Sequence, residues 1–177
     1  MKNIISFLIF AIALNSCNKD DDPKPTNPID QLPPATQTGA NTFGCLLDGE
    51  VFKPDNLPNS TNCFYQYVNG GYYFNVRASK KDKNNVSETI ALKTENKQIE
   101  QGITYDLLEA ESNETFGGYF YGSLLNYTNL NYSGKLTITK LDKINFIVSG
   151  TFWFDVKDNL GVVHQIREGR FDMEYTN

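Results

Sequence analysis

A single histidine, His164, limits the catalytic chemistry available to this chain of 177 residues. One imidazole excludes metal sites built from several histidines and leaves His164 as the sole histidine base for a serine or cysteine triad. No nucleophile elbow, zinc-protease helix, phosphate-binding loop or paired-cysteine motif accompanies it. His164 shares strand parity with Val162 and Ile166, so we predict a partly buried structural histidine rather than a catalyst.

Carboxylates are plentiful, but their spacing assigns them no reaction. Glu109 and Glu114 lie close together in the sequence, as do Asp155 and Asp158. A glycosidase needs two carboxyl groups at a set separation across a cleft, and sequence proximity does not supply that geometry. Oxygen ligands in residues 155–161 would suit calcium, although this segment lacks the spacing of a calcium loop and fits a hairpin turn better. We therefore predict no catalytic residue, no metal and no cofactor.

Tyrosine is the residue type most open to a binding role, with ten in the chain. An apolar ring that carries a polar hydroxyl suits a wet surface that stacks against a sugar. Sheet packing and β propensity also explain tyrosines in strands, and that alternative stays open. Four tyrosines near glycines and asparagines form our candidate ligand platform: Tyr119, Tyr121, Tyr127 and Tyr132.

The N-terminus resembles a bacterial lipoprotein signal. Lys2 is followed by an apolar run from Ile4 to Leu14 that is too short to span a bilayer as a mature helix. Leu14-Asn15-Ser16-Cys17 resembles a lipobox, which implies cleavage before Cys17 and lipidation of that residue. We assign residues 1–16 to a signal peptide and Cys17 to a membrane anchor. Ordinary secretion with a free Cys17 is the alternative.

The residues after Cys17 resemble the surface-export signal of Bacteroidetes lipoproteins. Lys19 is followed by Asp20, Asp21 and Asp22. The resemblance implies an outer-membrane lipoprotein that faces the cell exterior. Without it, the aspartates indicate only a solvated charged tether.

Net charge argues against a nucleic-acid partner. The formal charge is −5, and removing residues 1–16 takes away one lysine and makes it −6. No basic stripe stands out along the chain. Residues 17–41 hold five of the seven prolines among polar residues, which predicts a disordered, extended tether. We assign residues 42–177 to a single β domain.

The two remaining cysteines, Cys45 and Cys63, form a natural pair once Cys17 carries lipid. Both fall on the apolar side of an alternating segment, and export favours oxidation. The bridge would stabilise the fold by about 3 kcal/mol on the loop-entropy model. We predict this disulfide; the alternative is two buried free thiols that act as small core residues.

Apolar residues recur at period two, which predicts an all-β domain. Asp48-Gly49 and Asn69-Gly70 each separate two alternating runs and signal tight hairpins. The second turn sets three cross-strand pairs on one face: Tyr67 with Tyr72, Tyr65 with Phe74, and Cys63 with Val76.

The C-terminal third predicts three long strands with one wet face. In the last of them the apolar parity changes between Ile166 and Phe171, which predicts a bulge near Gly169. Residues 106–113 have helical propensity for at most one or two turns. Long antiparallel strands without crossover helices predict a β-sandwich or a flattened up-and-down, lipocalin-like barrel of about eight to ten strands, with the sandwich favoured.

Two segments resemble a family of small Bacteroidetes outer-membrane lipoproteins of unknown function. They are TFGCLLDGEVF at residues 42–52 and VSGTFWF at 148–154, the latter followed by EGRFD at 168–172. The resemblance implies a tethered β domain and assigns no ligand or catalytic residue. With the tether, it predicts a surface-anchored, non-enzymatic module that binds a glycan or an envelope partner. Two alternatives stay open: a structural accessory subunit of an envelope complex and, less favoured, a carboxylate-based hydrolase.

Overall fold

Alternating apolar residues build two antiparallel sheets, of six and five strands, that face each other. The structure is a computed structural model and describes residues 27–177. The sheets do not close into a barrel, so the sandwich prediction is confirmed and the barrel alternative is wrong. The strands are Thr42–Leu47 (β1), Glu50–Phe52 (β2), Thr61–Val68 (β3), Gly71–Lys81 (β4), Ser87–Thr94 (β5), Thr104–Leu107 (β6), Thr115–Tyr121 (β7), Leu124–Tyr127 (β8), Gly134–Asp142 (β9), Ile147–Lys157 (β10) and Val163–Glu174 (β11).

The strand order brings the two ends of the domain together. The six-stranded sheet runs β2-β1-β11-β10-β9-β6, and the five-stranded sheet runs β3-β4-β5-β7-β8. Strands that follow one another in the chain mostly pair as hairpins. The chain changes sheet without pairing between β2 and β3, on either side of β6, and between β8 and β9. In addition, β1 pairs with β11, β5 pairs with β7, and β6 pairs with β9.

Both predicted hairpin turns are confirmed. Asp48 and Gly49 have φ values of 52° and 85°, and Asn69 and Gly70 have φ values of 50° and 89°. A two-residue hairpin turn of type I′ requires positive φ at both positions, which Asn, Asp and Gly adopt most readily. The register after the second turn matches the prediction for all three pairs: Tyr67 with Tyr72, Tyr65 with Phe74, and Cys63 with Val76.

Inward side chains of both sheets form one hydrophobic core. Phe74 of the five-stranded sheet meets Phe171 of the other sheet with ring centroids 6.3 Å apart. Tyr65 meets Tyr175 across the same core at 6.0 Å. The buried Tyr65 hydroxyl accepts a hydrogen bond from the Ile99 amide at 3.3 Å, and burial raises the pKa of Tyr65 to about 12. Its polar end is therefore satisfied inside an apolar layer.

A bulge interrupts β11 at the predicted place. The pairing of β10 with β11 shifts between Phe152, opposite Gly169, and Phe154, opposite Ile166, so Arg167 and Glu168 together stand opposite Trp153; Glu168 has a φ of 54°. A Cβ on Gly169 would stand 2.5 Å from the Phe152 ring, so only glycine fits beneath that ring. The extra residue lets the apolar side chains after the bulge point into the core again.

Residues 27–41 differ from the predicted disordered tether, because they pack on the domain. Leu32 is only 7% exposed. Pro33 rests on Gly44 of β1, where a Cβ would stand 2.5 Å from the proline ring. A proline-rich composition favours an extended backbone, but it does not prevent an extended segment from docking on a sheet. The folded unit therefore begins before residue 42, and residues 17–26 of the predicted tether lie outside the described residues.

A buried carboxylate, that of Asp172, holds this segment in place. Asp172 is 1% exposed on β11 and accepts six hydrogen bonds. Burial acts to raise its pKa, but the hydrogen bonds outweigh burial and hold the pKa well below its usual range. We call this arrangement the Asp172 clamp; its donors are Thr36 Oγ1, Thr38 N, Thr38 Oγ1, Gly39 N, Ala40 N and Ser149 Oγ, at 2.7, 2.9, 3.3, 2.8, 3.2 and 2.8 Å.

Helical structure is confined to one short turn in the described residues. Pro28–Gln31 form a 3-10 helix whose N-cap, Asn27, accepts a hydrogen bond from the Ile29 amide at 3.1 Å. Residues 106–113, where the sequence allowed one or two helical turns, form no helix. Within residues 27–177 no helix is long and apolar enough to cross a membrane.

The predicted disulfide is not formed. Cys45 and Cys63 are both free and buried. Cys45 lies opposite Phe52 in the six-stranded sheet, whereas Cys63 lies opposite Val76 in the five-stranded sheet. Packed sheets lie about 10 Å apart, and a bridge needs Cα atoms about 4.4–6.8 Å apart, so two inward cysteines can share a core without being neighbours. The alternative of two buried thiols describes the structure, and burial raises the pKa of both.

Candidate functional site

The solvent-facing side of the five-stranded sheet carries a row of side chains that the core does not use. The register places Phe64 opposite Asn75, Asn75 opposite Lys93, and Lys93 opposite Phe116. These residues alternate with inward ones such as Phe74. A sheet with one wet face normally shows polar residues on that face. Two phenylalanines in this outer row depart from that pattern; Phe116 is 6% exposed and packs edge to face against Tyr127, with ring centroids 5.6 Å apart.

A depression lies in the surface along this row. Next to it, aromatic rings cover a small residue of the sheet. Ala91 pairs with Gly118, which in turn pairs with Tyr127 of β8. A Cβ on Gly118 would stand 2.7 Å from the Phe120 ring and 3.3 Å from Tyr127, and the two rings pack edge to face with centroids 5.3 Å apart. The depression has a volume of about 450 Å³, within the range of small-ligand sites. We call it the aromatic groove; its aromatic walls are Phe64, Tyr73, Phe116 and Tyr127.

Polar groups that are free to bind a ligand stand in this groove. Lys93 and Glu95 both line it. The Lys93 ammonium lies 5.8 Å from the centre of the Phe120 ring, and burial lowers its pKa, with Arg77 adding to the effect. Among residues 27–177, no hydrogen bond or salt bridge engages the Lys93 ammonium or the Glu95 carboxylate. The groove therefore combines apolar ring faces with an unengaged donor and an unengaged acceptor.

The four tyrosines of the predicted platform do not form one surface. Tyr127 lines the aromatic groove. Tyr119 and Tyr121 point to the opposite side of the sheet and line a cavity at one end of the sandwich. Tyr132 lies in a loop, with the Lys157 ammonium 5.9 Å from its ring centre. The four tyrosines are separated because successive side chains along a strand point to opposite faces of the sheet.

A second groove, of about 380 Å³, lies on the outer face of the six-stranded sheet around the chain's one tryptophan. Trp153 is 42% exposed, with the Arg167 guanidinium 5.5 Å from its ring centre. Arg167 pairs with Asp155 at 2.6 Å, and Lys135 pairs with Asp106 at 2.7 Å. Because these cations are already paired, this groove offers fewer free polar groups than the aromatic groove. Trp153 belongs to the VSGTFWF segment, but no signal in the sequence marks it as a site residue.

His164 is partly buried, as the sequence predicts. Its side chain is 17% exposed, with Nδ1 2.8 Å from Asp48 Oδ2 and Nε2 3.5 Å from Asp158 Oδ2. Asp158 also accepts a hydrogen bond from the Val162 amide at 2.8 Å. This bond closes the hairpin turn at residues 155–161, the segment whose oxygen ligands would suit calcium. Within residues 27–177, no group of three or more His, Cys, Asp or Glu side chains is arranged to hold a metal ion.

Several carboxyl groups have a lowered pKa, which keeps them ionised. Hydrogen bonds led by the Asn145 side chain lower the pKa of Asp142 to about 2. At Asp82 and Asp158, desolvation acts to raise the pKa, but hydrogen bonds from backbone amides outweigh it and the net shift is downward. The general acid of a hydrolase needs the opposite shift. These carboxylates therefore give the hydrolase alternative no support.

Comparison with known proteins finds no matching family model, no matching curated protein and no matching solved structure. The resemblance to small Bacteroidetes lipoproteins therefore stays a prediction. Its N-terminal part, Cys17 with Lys19, Asp20, Asp21 and Asp22, lies outside the described residues.

Proposed function

We propose that this protein is a lipid-anchored, non-enzymatic binding module on the outer membrane, and that its domain takes up a glycan in the aromatic groove. The observation that carries the proposal is the set of aromatic rings on the outer face of the five-stranded sheet, next to the unengaged Lys93 and Glu95. No nucleic acid, metal or cofactor enters the proposal.

Sugar chemistry matches this combination of groups. A pyranose ring has apolar C–H faces that pack on aromatic rings, and its hydroxyls need both donors and acceptors around the rim. Tyr73 and Tyr127 offer rings with a polar end, while Lys93 donates and Glu95 accepts. Lys93 and Glu95 interact electrostatically and place both signs of charge in the groove, and Arg77 lies close enough to Lys93 to lower its pKa. Mixed charge of this kind fits a neutral saccharide better than a polyanion.

The course of the N-terminal segment supports this choice of face. Pro33 packs against Gly44 on the six-stranded sheet, and Ala35 lines the groove around Trp153. A tether that reaches the domain at residue 27 therefore arrives on the side of the six-stranded sheet. The outer face of the five-stranded sheet stays clear of this segment.

A role as an accessory subunit of an envelope complex has a separate observation in its favour. Exposed aliphatic side chains gather on two neighbouring turns at one end of the sandwich, and a contact with another protein would cover them. They are Leu124, Leu125, Leu160, Val162 and Val163, between 40% and 86% exposed. Such a contact is compatible with a glycan site on the sheet face.

Affinity electrophoresis tests the glycan proposal. The domain would be run in native gels that contain hydroxyethyl cellulose, laminarin, mannan or chondroitin sulfate. We expect a neutral polysaccharide to retard it, and Tyr73→Ala and Tyr127→Ala each to weaken binding about two- to twelvefold, because a stacked ring contributes about 0.5–1.5 kcal/mol.

Trp153→Ala is the matched control, because it removes an exposed ring from the other outer face. It should leave retardation unchanged. The proposal fails if no polysaccharide retards the domain, or if Trp153→Ala abolishes binding that both tyrosine variants keep.

A further inference from the structure

A cavity separate from the aromatic groove opens at the end of the sandwich where His164 lies. It has a volume of about 290 Å³. Tyr119, Tyr121 and the His164 ring form its aromatic wall, with the Tyr119 and His164 ring centres 4.6 Å apart. Leu124 and Leu160, 42% and 86% exposed, form its apolar rim. We call it the end cavity.

The tyrosine rings of the end cavity are polarised by carboxylates behind them. The Tyr121 hydroxyl donates a hydrogen bond to Asp82 at 2.9 Å, and the Tyr119 hydroxyl donates one to Glu88 at 3.3 Å. A phenol that donates to a carboxylate gains electron density in its ring. The ring face then attracts a cation more strongly.

The charges around the end cavity are predominantly negative. Two further carboxylates, Asp48 and Asp158, flank the His164 ring at 2.8 and 3.5 Å. Lys80 pairs with Glu88 at 3.4 Å and offsets one of the four carboxylates. An uncharged apolar ligand would contact the leucine rim but gain nothing from the negative electrostatic potential of the carboxylates. A cation on an apolar stem would gain from both.

We propose that the end cavity binds a lysine side chain of a partner polypeptide. The alkyl stem lies between Leu124 and Leu160, and the ammonium faces the tyrosine rings and Asp158. The exposed aliphatic residues on the adjoining turns give the partner backbone a surface to rest on. This site is independent of the glycan proposal, which concerns the outer face of the five-stranded sheet.

A pair of tripeptides separates the contribution of the charge from that of the stem. N-acetyl-Gly-Lys-Gly-amide and its norleucine counterpart have the same alkyl stem, and only the first carries an ammonium. They would be titrated into the ¹⁵N-labelled protein. We expect the lysine peptide to shift the amides of residues 119–124 and 158–164 saturably, and to bind about fivefold more tightly than the norleucine peptide.

Variants then test the ring itself. Tyr121→Leu keeps apolar bulk but removes the π face, and should weaken the lysine peptide about fivefold while leaving the norleucine peptide unchanged. Tyr67→Leu is the matched control, because Tyr67 is an exposed tyrosine next to the Asn69-Gly70 turn, away from the end cavity. It should have no effect, and thermal unfolding would verify that both variants fold.

Two results overturn the proposal. Equal affinities for the lysine and norleucine peptides would make the site a purely apolar one. An absence of saturable shifts at residues 119–124 and 158–164 would show that the end cavity takes no lysine side chain. Neither result bears on retardation by polysaccharides, so failure here is distinguishable from failure of the glycan proposal.

Discussion

Replacing Asp172 with Asn removes the charge of the clamp while keeping its shape. In the best orientation, the amide oxygen takes the place of Oδ2 and keeps the bonds from Thr36, Thr38 and Ala40. The amide nitrogen then faces the Gly39 amide, which donates to Oδ1 at 2.8 Å in the wild type. The Ser149 hydroxyl can turn and accept instead. The Gly39 N–H and one N–H of the new amide, both in a part-buried position, are left without an acceptor, and the remaining bonds lose their charge assistance.

The expected loss in unfolding free energy is about 3 kcal/mol. An unpaired buried donor costs about 1–3 kcal/mol, and replacing charged by neutral acceptors adds a comparable amount. For a domain of this size, such a loss lowers the melting temperature by roughly 6–12 °C. Urea unfolding and calorimetry would measure it. Asp106→Asn is the control, because the exposed pair of Asp106 with Lys135 contributes less than about 1 kcal/mol.

The effect of Asp172→Asn depends on pH in a defined direction. The pKa of Asp172 is lowered on folding, so the carboxylate contributes its full stabilisation above its unfolded value of about 3.9. That stabilisation is lost as the pH falls below this value towards the folded pKa. The gap between wild type and variant should stay constant between pH 5 and pH 8 and narrow below about pH 4. Equal stabilities at pH 7, or a gap that widens in acid, would refute the reasoning.

Two further predictions concern the cysteines. Cys45 and Cys63 should both resist maleimide in the native protein and react after denaturation, because burial raises the pKa of both thiols; a peptide that joins the two residues through sulfur would contradict the structure. Cys17→Ser should move the protein from the membrane to the soluble fraction, and retention of this variant in the membrane would rule out the lipid anchor.

Local features of the fold were predictable because turn chemistry and alternation act over a few residues. Asn69-Gly70 set the register of a whole hairpin, since both residues accept positive φ and side chains alternate strictly on either side. The bulge next to Gly169 followed from a change of apolar parity between Ile166 and Phe171 in one strand. Neither inference needed knowledge of which strands neighbour each other.

Features that depend on sheet order were not predictable. Cys45 and Cys63 share a core but belong to different sheets, and the alternating pattern does not say which sheet a strand joins. The clamp joins residues near position 38 to Asp172, through a pairing of β1 with β11 that no local signal announces. Prolines before residue 42 predicted an extended tether, whereas Pro28–Gln31 form a 3-10 helix and the docking of Pro33 needs the glycine at position 44.

The candidate site also has one part that follows from local sequence and one part that depends on the strand order. Because side chains alternate along each strand of the Asn69-Gly70 hairpin, Tyr73 and Phe64 lie on the face opposite the three predicted pairs. That Lys93 and Phe116 continue the row depends on the order β4-β5-β7, which passes over β6. The predicted platform failed as a unit because it grouped tyrosines by position in the chain rather than by the face of each strand.

Chemical-shift mapping of glycan binding tests the central claim most directly. The chain has one tryptophan, so its indole N–H gives a single resonance that reports on the opposite outer face. Titration with oligosaccharides of the polysaccharide that retards the domain should shift the resonances of Tyr73, Lys93 and Tyr127 saturably and leave the Trp153 indole unmoved. Saturable shifts at Trp153 with none at the aromatic groove would contradict the account.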